Sequence, residues 1–336
     1  MRNSTTSCTC NDNAAGLILT SHADGRSSWA FTSFLIGSSA NGIGRGGFAQ
    51  RDFSRGDLII AEPPLAHFIV PDRKLISGIE LADILEKTIE SLNDAQRTAY
   101  FALAQLPDGG IAGLPNSMEA AHGIWMTNAY PTTSGRDEGG DGQAVFEQIC
   151  RLNHSCRPNT LLSWDAELGF KTCHAATDIK RGQEITVAYW DDECVGKVRS
   201  ERQRLTLQRY GFSCDCAACQ LKGGELQASD QRQRKVSVLM GLISRCAVGA
   251  TGQGLHAHER LCESVRELVV ALRDEGLPSA WAKDYLLHAA ASARRCGEWA
   301  AARQWALDAS YCVRDAMGGN SRAYRSFAAE HLQSVQ

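Results

Sequence analysis

Two rhythms of apolar and polar residues run along this chain. From residue 28 to 70 the apolar positions come in short runs: SWAFTSFLI, then Leu58 to Ala61 in DLIIAEPPL, which Pro63 and Pro64 stop. Runs of this kind bounded by Gly and Pro predict strands. GIGRGGFA, Gly42 to Ala49, reads as a flexible loop that leads into Phe48 and Ala49. The period then changes. Leu81, Ile84, Leu85, Ile89 and Leu92 recur at three- and four-residue steps and predict an amphipathic helix. Asn93 with Gln96 forms the pattern of a capping box and starts a second helix through Tyr100 and Leu103. Loops rich in Gly, Pro and Asp are expected at 107–117 and 134–142.

The strand rhythm returns in TLLSWDAELGFKTCHAATDI, read as one strand, and in EITVAYW, Glu184 to Trp190, whose alternation suits a half-buried strand. Residues 196–210 return to helix, with the Arg and Gln of ERQRLTLQR on a solvated outer face. From about 230 the chain reads as helical to the end. Leu261, Val265, Leu268, Val269 and Leu272 form one apolar stripe, and Trp281, Tyr285 and Leu286 begin another. Gly297-Glu298-Trp299 separates two helices, and Trp305, Ala309, Cys312 and Val313 line the next. Paired antiparallel helices of TPR-like character are expected, without a clean 34-residue repeat.

Composition narrows the class. Of 336 residues, 43% are hydrophobic and 22% charged, which is ordinary globular usage. A net charge of −3 gives no reason to expect a chain that coats nucleic acid or an anionic membrane. No run approaches the ~18 apolar residues of a membrane span. Trp29 to Gly37 mimics a signal peptide, but it starts late, with only Arg2 and Arg26 as positive charges ahead of it, and reads as a first strand. Residues 1–27 are polar enough to predict a disordered tail, with Cys8 and Cys10 as incidental thiols. Thirteen cysteines, an odd number, argue against a secreted disulfide framework and for a reducing compartment with a few thiols reserved for metal.

Two segments carry the chemistry. RLNHSCRPN, Arg151 to Asn159, places an amide, an imidazole and a thiol close together. FSCDCAAC, Phe212 to Cys219, sets Cys214, Cys216 and Cys219 within six residues. Structural zinc wants four tetrahedral ligands at about 2.3 Å for sulfur, so this trio is one donor short. Cys156, in a tight loop fixed by Pro158, is the natural fourth; Cys173, Cys194 and His154 are rivals. The spacing lacks the paired C-x2-C arrangement and basic recognition helix of a zinc DNA-binding module.

Together the motifs resemble the SET domain of protein lysine methyltransferases, in that family's order. GIGRGGFAQRDFSRGDLIIAEPP resembles its glycine-loop motif, RLNHSCRPN its NHSCxPN motif, IKRGQEITVAYWDD its GEEITxxY motif, and RYGFSCDCAAC its post-SET cysteines. The resemblance covers roughly residues 30–220 and is greatest to the split SET group, the SET and MYND domain proteins and related fungal SET proteins. That group often carries a zinc-binding MYND module in its insert. Residues 65–120 hold no cysteine and only His67, so a split SET without MYND is expected.

The resemblance implies an α+β fold: a SET β fold with a pseudo-knot, a helical insert at about 65–120, a post-SET zinc segment at 210–219 and a C-terminal helical domain. Residues 28–224 would be the SET domain and 225–336 the helical domain, divided at Lys222-Gly223-Gly224. It also implies S-adenosylmethionine as co-substrate, structural Zn2+ on Cys156, Cys214, Cys216 and Cys219, and a protein partner that presents a lysine. Tyr189 would be catalytic and would also contact the cofactor. Gly44, Arg45, Gly46, Asn128, Asn153, His154 and Phe212 would bind the cofactor, with Tyr210 as a second aromatic for the same wall. A lysine amine must be neutral to attack, although its free pKa is about 10.4. An apolar channel and a neighbouring sulfonium both favour the neutral form, so alignment matters more than a dedicated base. A monomer in nucleus or cytoplasm, without direct nucleic-acid or membrane binding, completes the expectation. The alternative is a non-catalytic SET module that binds partners through its helical tail.

Overall fold

The computed structural model of the chain describes residues 17–21, 27–31, 33–38, 44–70, 78–105, 116–132, 141–189, 195–248, 255–319 and 321–333. The first half forms small sheets. Strand β1 (Leu17–Ser21) pairs antiparallel with β2 (Ser27–Phe31). Strand β3 (Phe34–Ser38) pairs antiparallel with β4 (Arg45–Ala49), and β5 (Leu58–Glu62) and β6 (Ala66–Val70) follow. Three expectations change here. Leu17 to Thr20 is apolar enough to build a strand inside the expected tail, whose first sixteen residues lie outside the described ones. SWAFTSFLI is divided between β2 and β3. The expected glycine loop becomes strand from Arg45 onward.

The insert packs α1 (Gly78–Glu90), α2 (Asp94–Phe101) and α3 (Asn116–Asn128) against a sheet of β6, β7 (Tyr130–Pro131) and β8 (Asp141–Val145). The capping box forms: Asn93 Oδ1 accepts the Gln96 N–H at 2.9 Å and Gln96 Oε1 accepts the Asn93 N–H at 3.1 Å. Helix α3 carries the insert to residue 128, past the expected limit near 120. Trp125 is fully buried and stacked on Phe68, with ring centroids 4.2 Å apart.

Next comes the part that positions the site. Strand β9 (Asn153–His154) runs parallel to β12 (Glu184–Val187), with Thr186 opposite Asn153 and Val187 opposite His154. Between them lies a hairpin of β10 (Thr160–Asp165) and β11 (Phe170–Ala175). The sequence read 160–179 as one strand; it folds back because Asp165 Oδ1 accepts the Glu167 and Leu168 N–H groups and Gly169 takes φ +67°. The sheet orders are β3-β4-β12-β9 and β10-β11-β5. Their shared core includes Phe53, Ile59, Phe146, Leu152 and Ile185.

Helix α4 (Arg199–Tyr210) ends at Gly211, which takes φ +72°, and delivers the cysteine segment. Helices α5 (Gly223–Val248), α6 (Leu255–Asp274), α7 (Lys283–Arg295), α8 (Trp299–Met317) and α9 (Arg322–Gln333) complete the chain. Gly223 and Gly224 form the first turn of α5. The helices bury their own core around Val236, Leu268, Leu286 and Trp305. Val269, placed in the stripe by its period, is instead exposed. Among the described residues no helix is long and apolar enough to cross a membrane.

Candidate functional site

The sulfurs of Cys156, Cys214, Cys216 and Cys219 all lie within 4.8 Å of one another. Cys156 Sγ is 3.9 Å from Cys214 Sγ and 3.6 Å from Cys219 Sγ. A tetrahedral ion with sulfur at about 2.3 Å spaces its ligands about 3.8 Å apart, so the four thiols fit Zn2+. Of the rivals, Cys173 is buried in β11 within the sheet core, and Cys194 lies outside the described residues. His154 is beside the cluster, with Nε2 3.4 Å from Cys156 Sγ.

A zinc ion with four thiolates carries net negative charge, and the site offers hydrogen-bond donors to it. The Cys156 N–H donates to Cys216 Sγ at 3.4 Å, and Arg202 Nη2 approaches Cys219 Sγ at 3.9 Å. Arg202 is 1% exposed, which corrects the reading of its helix stretch as a solvated face. Its Nη1 donates to the Lys197 carbonyl at 2.6 Å. Burial opposes the charge on this guanidinium, and the neighbouring Cys156 and Cys219 sulfurs outweigh it, so it stays protonated.

His154 links the cluster to Tyr189. Its Nδ1 accepts the Tyr189 N–H at 3.2 Å, which places the ring proton on Nε2, pointing at Cys156. Burial lowers its pKa to about 4, so the ring is neutral at pH 7. Tyr189 lies two residues past the end of β12. Its phenol donates to the Leu152 carbonyl at 3.1 Å, and its own carbonyl accepts the Tyr210 phenol at 3.1 Å. Burial pushes the Tyr189 phenol well above its ordinary pKa, so it holds its proton and acts as a donor, not a base. Phe212 meets the Tyr189 ring edge-on at 6.3 Å, and Tyr210 lies 5.0 Å from it.

These rings wall a cavity of about 150 Å³ that Asn128, Tyr130 and Cys150 also line. Asn128 ends α3, and its amide nitrogen is committed to the Ala104 and Ile124 carbonyls, both at 2.7 Å. The amide oxygen is the group left for a ligand. The cavity thus unites Asn128, Tyr189 and Phe212, with Tyr210 beside them.

The remaining candidates form a neighbouring group on β4, β9 and β12. Asn153 Nδ2 donates to Glu184 Oε1 at 2.8 Å. A Cβ at Gly46 would stand 2.8 Å from Asn153 Nδ2 and press on the Glu184 carboxylate, so both side-chain ends would have to shift to admit it. Gly44 takes φ +87° with open space around it, leaving its backbone accessible. Arg45 is exposed, opposite Ser38 in the β3–β4 pair. The side chains of Asn153 and His154 are therefore occupied by Glu184, and by Tyr189 and Cys156. Sequence reasoning missed Glu184, Cys150, Arg202 and the Leu152 carbonyl.

Residues 44–190 match the family described as SET domain, and that stretch of the chain is a SET domain. The chain is also homologous to enzymes of protein-lysine methylation. It is 29% identical over 167 residues to histone-lysine N-methyltransferase set5 of Schizosaccharomyces pombe, an alignment covering 47% of this chain and 50% of that protein. It is 43% identical over 75 residues to mouse protein-lysine N-methyltransferase SMYD4, covering 22% of this chain and 9% of the relative. Over 96 residues it is 38% identical to the zebrafish N-lysine methyltransferase SMYD2-B, covering 28% of this chain and 20% of the relative. The chain thus spans half of the fission-yeast relative and a fifth or less of the other two.

Proposed function

We propose that this protein transfers a methyl group from S-adenosylmethionine to a lysine side chain of a protein. One observation carries the reading. A protonated Tyr189 phenol, anchored on Leu152, stands in a narrow cavity walled by Tyr210 and Phe212. At about 150 Å³ that cavity is smaller than the roughly 300–1,000 Å³ of most small-molecule sites. It suits a slender aliphatic chain such as a lysine.

The residues also fit the co-substrate. The open backbone at Gly44, the cradle at Gly46 and the Asn128 amide oxygen offer polar contacts, and Phe212 offers an aromatic face. When bound, S-adenosylmethionine supplies an electrophilic methyl group on a cationic sulfur. Aromatic faces favour a cation by about 0.5–2 kcal/mol. The apolar walls disfavour an ammonium, so the lysine enters its neutral, nucleophilic form. Tyr189 orients the amine, and its backbone N–H bond to His154 holds it in line with the zinc cluster.

Purified, zinc-loaded protein incubated with radiolabelled S-adenosylmethionine and a cell lysate tests this reading. Label should enter lysine of lysate proteins with wild type and be lost with Tyr189→Phe. No transfer, with no thermal shift at saturating co-substrate, would instead support a non-catalytic binding module.

A further inference from the structure

Glu62, the last residue of β5, does not line the cavity, yet it is 6% exposed and both carboxylate oxygens are engaged. Oε1 accepts the Gln148 N–H at 2.8 Å and Oε2 accepts the Ile149 N–H at 2.9 Å. These consecutive amides open the 3-10 turn Ile149–Arg151. The first N–H groups of a helical turn have no acceptor within it, and a carboxylate is their strongest partner.

The turn leads straight into the site. It closes with the Leu152 N–H on the Ile149 carbonyl at 3.1 Å, and the Leu152 carbonyl then receives the Tyr189 phenol. The same turn sets Cys150 against the cavity, where the Phe146 N–H donates to Sγ at 3.3 Å and Sγ reaches the Asn128 carbonyl at 3.4 Å. The remaining backbone support of this turn is short-range, whereas Glu62 is 86 positions from Gln148. A pull on Glu62 is therefore a pull on the acceptor of the catalytic phenol.

We propose that Glu62 is a positioning residue for methyl transfer: its carboxylate holds the Gln148 and Ile149 amides, the turn fixes the Leu152 carbonyl, and that carbonyl orients Tyr189. The inference rests on the reading of Tyr189 given above. The ionisable groups around Glu62 are Glu147 and Cys150 on the turn side and Lys171 opposite it on β11. Lys171 sends its ammonium to the Pro131 carbonyl at 3.1 Å and over the Tyr130 ring. Burial, aided by the Glu147 charge, raises the Glu62 carboxyl to about 7 against the pull of the Gln148, Ile149 and Glu147 amides. The carboxylate grip is thus complete above neutrality and slackens as pH falls through 7.

The test combines kinetics with a signal from the free protein. In protein labelled at tyrosine 13Cζ, the Tyr189 resonance is assigned by its loss in Tyr189→Phe. Glu62→Gln keeps one acceptor and turns an amide NH2 toward the other backbone N–H. It should displace the Tyr189 resonance and lower kcat by about ten- to a hundredfold. KM for both substrates should stay within about twofold. On top of Tyr189→Phe, Glu62→Gln should cost little more. A folded Glu62→Gln protein with an unmoved Tyr189 resonance, or the same loss of kcat in both backgrounds, would overturn the proposal.

Should Glu62→Gln fail to fold, Glu62→Asp and a wild-type pH titration decide. The Tyr189 resonance should shift in the aspartate variant and follow a midpoint near 7 in wild type; a resonance unmoved in both would overturn the proposal. If the protein transfers no methyl group at all, the function reading fails, while the resonance still tests the link from Glu62 to Tyr189.

Discussion

Arg157 donates to the buried carboxylate of Glu275 at 2.8 Å, across 118 positions of sequence. Arg157 directly follows Cys156, so the loop that brings this thiol to the four-sulfur cluster is also fastened to the C-terminal helices. Glu275 follows α6 and further accepts Arg232 Nε at 2.8 Å and the Ser229 hydroxyl, both from α5. One carboxylate thus joins three parts of the chain.

Removing one partner of a buried ion pair strands the other. Glu275→Ala should therefore cost about 3–5 kcal/mol in chemical denaturation. Burial pushes the Glu275 carboxyl up, but hydrogen bonds from Ser229, Arg157 and Arg232 outweigh it and hold its pKa below the ordinary value. The contribution is complete above the unfolded carboxyl pKa of about 4.3. It is lost as pH falls through the lower folded value. Stability measured from neutral to acid pH should drop there in wild type and flatten in Glu275→Gln.

The four-sulfur cluster should bind one zinc per chain. Cys156→Ser and Cys216→Ser should each lose that stoichiometric metal by elemental analysis, whereas Cys173→Ser, a change of a buried thiol within the sheet core, should keep it. Structural zinc contributes about 10–16 kcal/mol of apparent binding free energy at neutral pH. A strong chelator should therefore collapse the folding transition of wild type. Retention of the metal in Cys156→Ser would place the fourth ligand elsewhere.

Tyr189→Phe should separate catalysis from folding. Loss of one aligned donor at a reacting centre costs about 10²–10³ in kcat. The Leu152 carbonyl would lose its hydrogen bond at about 1–3 kcal/mol in stability. Because burial raises the Tyr189 phenol above its usual range, wild-type activity should show no ionisation of this residue near pH 10, the free tyrosine value of about 10. A pH–rate profile checks this.

Gly46→Ala forces a Cβ against Asn153 and Glu184. Overpacking of this kind costs about 1–3 kcal/mol. Co-substrate binding should weaken in calorimetry, since the same contact holds Asn153. An equally well-folded variant with unchanged affinity would remove this cradle from the binding surface.

The parts of the fold that were legible in sequence were those with local signals. Asn93 and Gln96 announced α2 because both halves of the cap lie within one turn. Cys214, Cys216 and Cys219 announced a thiol cluster by spacing, and Cys156, read as the fourth from its tight loop at Pro158, lies within 4.8 Å of them. The β10–β11 hairpin was missed although Asp165 and Gly169 mark its turn; a twenty-residue strand also exceeds the usual three to ten residues. Arg202 was misplaced because charge alone cannot tell a solvated face from one turned toward thiolates. Glu62 and Leu152 had no sequence signal, since a carbonyl has no side-chain identity and the carboxylate's partners lie far along the chain.

The parallel ladder between β9 and β12 also fixes when this molecule can become competent. Its halves flank a complete hairpin, and the aromatic wall and three thiols come later still. On the ribosome, the pocket cannot take its final shape until Cys219 has emerged, and the anchor at Glu275 arrives later again. Until then the nascent chain must hold an unfinished sheet, and Cys156 without its partner thiols, clear of other contacts.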